Sequence, residues 1–377
     1  MPRILLVTND FPPTVGGIQS YLRDFLDTLD PADVLVFAST QDSQAARDFD
    51  ATLPYQVIRW AQSMMLPTPA TSREMSRIIA DYGIETVWFG AAAPLALMAK
   101  AARSAGAAKV IASTHGHEVG WSMIPGARQI LRRIGDHCDV VTYISDYTLG
   151  RFNTAFGSHP QFVHLPSGVD IQTFQPVGSQ LQAQTRDRLG VGADPLVVCI
   201  SRLVARKGQD QLIRALPQLR LSHPRTRLLI VGTGGYESRL RRLAAKEGVD
   251  NAVVFTGSLP FDEMKAILGC ADVFAMPART RGKGLDVEGL GIVYLEAQAC
   301  AIPVIAGNSG GAPETVTADS GIVVDGGDLK ELTMALEELL ADQTRRKEMG
   351  EAGRVNVEDN WTWEIMGARL REIVVPM

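Results

Sequence analysis

The sequence predicts an α/β protein built from two doubly wound, Rossmann-like parallel-sheet domains. Three observations carry this. Short apolar runs alternate with longer amphipathic stretches along nearly the whole chain. The runs are rich in β-branched residues and apolar on both faces, as strands covered by helices on both sides must be. The chain has 377 residues, too many for one ordinary compact domain and suited to two of roughly 180 each.

The elements follow in order. Ile4–Thr8, Val34–Ala38, Thr86–Phe89, Val110–Ser113 and Val140–Ile144 read as the strands of the first domain, with helical patterns such as Ile18–Leu29 and Ser72–Tyr82 between them. The pattern stops at about 160–190, where LPSGVDIQTFQPVGSQ offers Pro, Gly, Ser and Gln but no apolar stripe. It restarts with Leu196–Ile200, Arg227–Val231, Val253–Thr256, Val273–Met276 and Val304–Ala306. The predicted divisions are therefore 1–170, 171–360, and a terminal helix over 361–377. That helix is anchored by Trp361 and Trp363 and expected to pack back on the first domain.

Hydrophobic residues make up 46% of the chain and charged residues 21%, so each half can bury a core. With 37 basic against 42 acidic residues the net charge is −5, which argues against a nucleic-acid binder. The four cysteines are far apart, without CxxC or His/Cys spacing, and read as buried thiols of a reducing compartment. MPRILLVTND reads as a first strand and not as a leader segment, and no run approaches ~18 apolar residues. A cytoplasmic protein is expected.

Open α/β sheets bind ligands beyond the carboxyl ends of their strands, and the unusual residues fall in those loops. In NDFPPTVGGIQ (9–19), the two prolines extend the path and Gly16–Gly17 let the backbone approach a ligand as a helix begins; the alternative is a tight turn with packing glycines. The loop lacks GxGxxG, which disfavours a dinucleotide site. His115-Gly116-His117-Glu118 follows a strand without the further ligands a metal needs, so either a cleft role or a structural histidine fits. Arg202 and Lys207 flank a turn that opens a helix near Gln209. Together they suit a diphosphate, whereas Arg206 reads as a solvated turn residue. In GLDVEGLGIVYLEA (284–297), Glu288 belongs to a glycine loop and Glu296 to the next helix. The N–H groups of 289–292 are then free for a phosphate or sugar hydroxyls. Such carboxylates suit recognition of hydroxyls at two points of a long ligand better than a hydrolase pair.

Together these pieces resemble the retaining GT-B glycosyltransferases of family 4. The matching segments are PPTVGG, HGHE, LPSGVD (165–170), SRLVARKG (201–208), VGTGG (231–235), VFTGSL (254–259), the E-x7-E of Glu288 and Glu296, and PVIAGNSGGAPE (303–314). NDFPPTVGGIQSYL and PARTRGKGLDVEGLGIVYLEA are similar to the actinobacterial GDP-mannose-dependent phosphatidylinositol-monomannoside α-1,6-mannosyltransferases. Two positions depart from the family: Ala301, usually Gly, for which a small packing change is expected, and Ser167, usually Asn.

The resemblance implies that Arg202 and Lys207 grip the donor diphosphate and that Glu296 binds the ribose. It places Glu288 on the transferred sugar, with the backbone of Gly289, Leu290, Gly291 and Ile292 holding the sugar and β-phosphate. His115 then lies near the mannose C6 hydroxyl, Gly16 and Gly17 line the cleft from the first domain, and the loop from Ser258 to Phe261 meets the base. The implied donor is GDP-mannose, with no cofactor and no obligatory metal. The implied acceptor is a phosphatidylinositol mannoside lipid, mannosylated at O6 of its inositol. Another family-4 transferase, a GT-B epimerase and a sugar-binding protein without activity are the competing readings. A lipid acceptor requires visits to a membrane. Residues 100–135 carry Lys100, Arg103, Lys109, Arg128, Arg132 and Arg133 against Glu118, interleaved with Trp121, Met123, Ile124 and Leu131. This segment is the candidate for peripheral contact with an anionic surface, the alternative being an ordinary helix with a buried apolar side.

Overall fold

The computed structural model describes residues 3–375. They form two compact units: the chain through Gly168 together with the segment from Trp363, and Val169–Thr362. The first holds a seven-stranded parallel sheet of β1 (Ile4–Thr8), β2 (Val34–Ser39), β3 (Gln56–Trp60), β4 (Thr86–Phe89), β5 (Lys109–Ser113), β6 (Val140–Tyr143) and β7 (Gln161–His164). Their order is β3-β2-β1-β4-β5-β6-β7. The second holds β8 (Leu196–Ile200), β9 (Arg227–Val231), β10 (Val253–Gly257), β11 (Val273–Met276), β12 (Val304–Gly307) and β13 (Gly321–Val324). These six strands lie in the order β10-β9-β8-β11-β12-β13. In each sheet the order reverses beside the unit's first strand, which creates a crevice at the strand carboxyl ends.

All ten apolar runs of the sequence are strands. β3, β7 and β13 are additional, and each is an edge strand. An edge strand covers only part of its surface, so Gln56, Arg59, Gln161 and His164 are tolerated there and the apolar signature is lost. The 160–190 stretch is likewise not bare of elements. It contains β7 and a helix, Ser179–Arg188, whose sequence SQLQAQTRDR is polar on every side and leaves no stripe to read. The first helix spans Gly17–Leu26, ending earlier than its apolar pattern.

The terminal helix, Trp363–Val374, belongs to the first unit. The Trp363 ring stands edge-on to Phe25 at 5.0 Å, and Thr86 Oγ1 donates to the Val374 carbonyl at 2.7 Å. Trp361 lies in the second unit, where its carbonyl accepts from Val169 N at 2.7 Å.

This packing corrects the reading of residues 100–135. Lys109 is buried and donates to the Val375 carbonyl at 2.8 Å, and Arg103 is paired with Asp139. Leu131 is core, 0% exposed, because its side of the helix Pro125–Gly135 faces the sheet. Met123 and Ile124 remain 48% and 60% exposed, next to Arg128, Arg132 and Arg133. Ala301 has a φ of 56°, in the left-handed region, so the change from glycine bears on backbone conformation. All four cysteines are buried free thiols. Among the described residues no helix is long and apolar enough to cross a membrane.

Candidate functional site

In the second unit the site grows from the turn after β8. Gly208 has a φ of 79°, and a Cβ there would lie 2.0 Å from the Pro277 carbonyl oxygen, so only glycine lets this turn rest on the loop after β11. Gln209 opens the helix Gln209–Ser222. It donates back to Ser201 Oγ at 2.8 Å and to the Arg202 carbonyl at 3.0 Å, fixing the turn. Lys207 is thereby buried, and its Nζ lies 2.6 Å from Glu288 Oε2. At this distance the ammonium and the carboxylate form a close, buried, charge-assisted pair. Arg202, by contrast, points to solvent and makes no ion pair among the described residues. The two cations are not gathered on one group.

Arg206 is not a solvated turn residue. Its side chain is 18% exposed, its Nη1 lies 3.5 Å from Asp286 Oδ1, and its Nε lies 3.9 Å from Glu288 Oε2. Asp286 and Glu288 arrive from a distant loop, so the sequence around Arg206 could not reveal them. The same loop is anchored to the helix Gln209–Ser222 through Arg279, which donates to both oxygens of Asp210 at 2.9 Å.

Glu288 is held by its backbone. Its N–H donates to Ser309 Oγ at 3.3 Å and its carbonyl accepts from Gly311 N at 3.0 Å. Gly310, at φ 59°, passes so close that a Cβ would come within 1.8 Å of that carbonyl. Gly291, at φ 88°, turns the chain into the helix Ile292–Ala299. No side chain caps this helix, and the N–H groups of Ile292 and Val293 have no acceptor among the described residues. Those donors and the positive end of the helix dipole make an anion site next to the Lys207–Glu288 pair. Leu290 is buried beneath it. Glu296, further along the helix, is half-buried, its carboxylate makes no ion pair or hydrogen bond among the described residues, and desolvation pushes its pKa up to about 7. Ser258 lies exposed on the loop after the edge strand β10, and the structure gives it no contact with this cluster.

The first unit carries a second cluster at its strand ends. His115 follows β5, its Nε2 lies 2.6 Å from the Gly90 carbonyl, and its ring stands edge-on to Tyr21 at 4.9 Å. A carbonyl can only accept, so Nε2 carries the proton and Nδ1 is left as an acceptor. Burial pushes the His115 pKa down to about 4, so the ring is neutral at ordinary pH. His117 is exposed; its neighbour Glu118 is buried and accepts from His115 N at 3.1 Å, with its own pKa raised by desolvation. Asp10, missed by the sequence reading, joins the group: desolvation raises its pKa and the charge of His117 opposes the rise.

The loop leading to Gly16–Gly17 is clamped from outside. Arg59 of β3 donates to the Pro12 carbonyl at 2.7 Å while held by Asp50, and Asn9 exchanges hydrogen bonds with the backbone of Met65. At Gly16 a Cβ would meet only the flexible end of Gln19, and at Gly17 it would meet nothing within 4 Å. Packing therefore does not require Gly17.

Two family models match the chain: "Glycosyl transferases group 1" over residues 182–356 and "Glycosyltransferase Family 4" over residues 15–173. The chain is similar to a GDP-mannose-dependent monoacylated alpha-(1-6)-phosphatidylinositol monomannoside mannosyltransferase of Corynebacterium glutamicum, with 61% identity covering 99% of this chain and 97% of that protein. It is also similar to the GDP-mannose-dependent alpha-(1-6)-phosphatidylinositol monomannoside mannosyltransferase of Mycolicibacterium smegmatis, 54% identical over 98% of each chain. Among solved structures, Anabaena HepE in complex with UDP superposes with a TM-score of 0.82 at 19% identity, covering 99% of both chains. Sucrose-phosphate synthase from Thermosynechococcus elongatus superposes at 0.80 and 22%, covering 99% of this chain and 98% of that one. At such identities the structures speak for the fold alone.

Proposed function

The chain belongs to the family-4, group-1 glycosyltransferases, and from that membership we propose that it is a retaining mannosyltransferase moving mannose from GDP-mannose to O6 of the inositol of a phosphatidylinositol monomannoside. The observation that carries this is similarity at 52–61% identity, across nearly the whole length, to proteins named for that reaction.

The geometry supports a division of labour. Lys207, Arg202 and the free N–H groups from Leu290 to Ile292 take the diphosphate. Glu296, unpaired and desolvated, accepts from the ribose hydroxyls. Glu288 and the backbone of Gly289 and Gly291 meet the mannose hydroxyls, and Ser258 stands at the base. In the first unit, Gly16 and Gly17 let the backbone approach the donor, and His115 presents Nδ1 to the mannose C6 hydroxyl. As the bond from the anomeric carbon to the β-phosphate oxygen breaks, its electron pair leaves with GDP. The inositol O6 attacks the same face, and its proton passes to that leaving oxygen. Negative charge grows on the phosphate, where fixed cations and helix donors are worth ~3–4 kcal/mol each. Those cations do the work a divalent ion performs elsewhere.

A lipid acceptor brings the enzyme to an anionic membrane. Exposed Met123 and Ile124, next to Arg128, Arg132 and Arg133, supply apolar contact and charge. Each basic residue at such a surface is worth about 1 kcal/mol. Wild type should co-sediment with phosphatidylinositol vesicles at low salt, and Met123→Ser/Ile124→Ser with Arg128→Ser should not; equal binding by both removes this face from the proposal. The activity itself is tested by offering GDP-mannose and other nucleotide sugars with a phosphatidylinositol monomannoside acceptor. GDP-mannose alone should support transfer, with an α-linked product, and preference for another donor would overturn the assignment.

A further inference from the structure

We propose that Arg206 is a positioning residue that takes over the Glu288 carboxylate when the donor's diphosphate draws Lys207 away from it. This rests on the assignment of Lys207 to the diphosphate. One carboxylate oxygen, Glu288 Oε2, faces two cations: Lys207 Nζ at 2.6 Å and Arg206 Nε at 3.9 Å. Arg206 Nε is buried without a hydrogen-bond partner, a donor that costs free energy while unpaired, and at 3.9 Å from Glu288 Oε2 it stands just outside hydrogen-bonding range.

Lys207 has one compact charge and cannot neutralise Glu288 and a diphosphate equally. When it turns to the phosphate, Glu288 remains buried, and a buried carboxylate without a cation is strongly disfavoured. The Glu288 backbone, fixed by Ser309 and Gly311, cannot follow the lysine. The Arg206 guanidinium can close the gap. Its far side is already oriented by Asp286 at 3.5 Å, and its own carbonyl is held by Arg279 N at 2.8 Å. Closure gives Arg206 Nε its missing partner, replaces the cation that Glu288 gives up, and keeps the carboxylate aimed at the sugar. Arg206 thus touches neither donor nor acceptor and acts through Glu288.

The test is a double-mutant cycle on GDP binding, read by calorimetry in the full chain, with thermal unfolding of each ligand-free variant as control. Arg206→Met should weaken GDP at least roughly tenfold while changing ligand-free melting little, since Lys207 still holds Glu288 there. In the Glu288→Gln background, where no charge needs holding, the same Arg206→Met change should alter GDP affinity less than about twofold. Arg206→Lys, which keeps the charge, should recover most of the affinity even if the methionine variant folds poorly. Equal losses in both backgrounds would make Arg206 a direct phosphate ligand, and no loss in either would make it a bystander; each overturns the proposal. Failure of wild type to bind GDP would instead remove the functional reading on which it rests.

Discussion

Glu296 is expected to cost the empty enzyme stability that the donor gives back. Its carboxyl titrates ordinarily near 4.5 and is pushed up to about 7 by desolvation, with no partner to oppose the shift. A carboxyl whose pKa rises on folding binds its proton more tightly in the folded protein. Its penalty is therefore absent below about 4.5, grows as the pH rises, and is complete above about 7. The full difference corresponds to on the order of 3 kcal/mol, and water reaching a half-buried side chain lowers it to about 1–3 kcal/mol. Glu296→Gln should then melt several degrees above wild type at pH 8, at ~2–4 °C per kcal/mol for a unit of this size. Near pH 4.5 the two should melt together. The same substitution should weaken GDP and GDP-mannose alike, because the ribose is common to both. The ratio of wild-type to variant affinity should shrink as the pH falls through about 7, a comparison in which the titration of the phosphate itself cancels. Equal melting at pH 8, or undiminished GDP affinity in the variant, would refute the reasoning.

Four further outcomes follow from the geometry. Arg202→Ala should lower kcat/KM by ~10²–10³ with unchanged melting, since Arg202 makes no ion pair among the described residues. Lys207→Ala should lose activity similarly but melt earlier by less than the Lys207→Ala/Arg206→Met double variant, in which the buried carboxylate keeps neither cation; steady-state kinetics and calorimetric scans separate these effects. Gly17→Ala has free space and a helical position, so it should stabilise the first unit by up to ~1 kcal/mol while impairing turnover; a variant both stable and fully active would return Gly17 to the role of an ordinary turn residue. Ala301→Gly should relieve a left-handed backbone and raise the unfolding free energy by up to about 1 kcal/mol with activity unaltered, and a loss of stability would contradict the strain argument.

The central strands were legible because burial on both faces forces continuous apolar runs such as Leu35–Phe37 and Val197–Val198. The edges β3 and β7 were not, because half-exposed positions admit Arg59 and His164. The helix Ser179–Arg188 was invisible for the converse reason: with no apolar stripe, its composition matches that of a loop. Sequence order placed Lys207 and Glu288 in loops at strand ends, but their contact depends on the turn at Gly208 resting on Pro277, which no local pattern announces. Arg206 shows the same limit. Next to Lys207 it looked like any basic turn residue, and its partners come from a loop that only the sheet order brings near. Residues 100–135 misled because charge and apolarity can be counted in a sequence whereas direction cannot, and the sheet and the terminal helix claim Leu131 and Lys109.

The most direct test of the account is the product itself. Purified protein incubated with GDP-mannose and phosphatidylinositol monomannoside should release GDP and form a dimannosylated lipid, with the new mannose α-linked to O6 of inositol by nuclear magnetic resonance. Consumption of GDP-mannose at the same rate without acceptor, or a new linkage of inverted configuration, would contradict it.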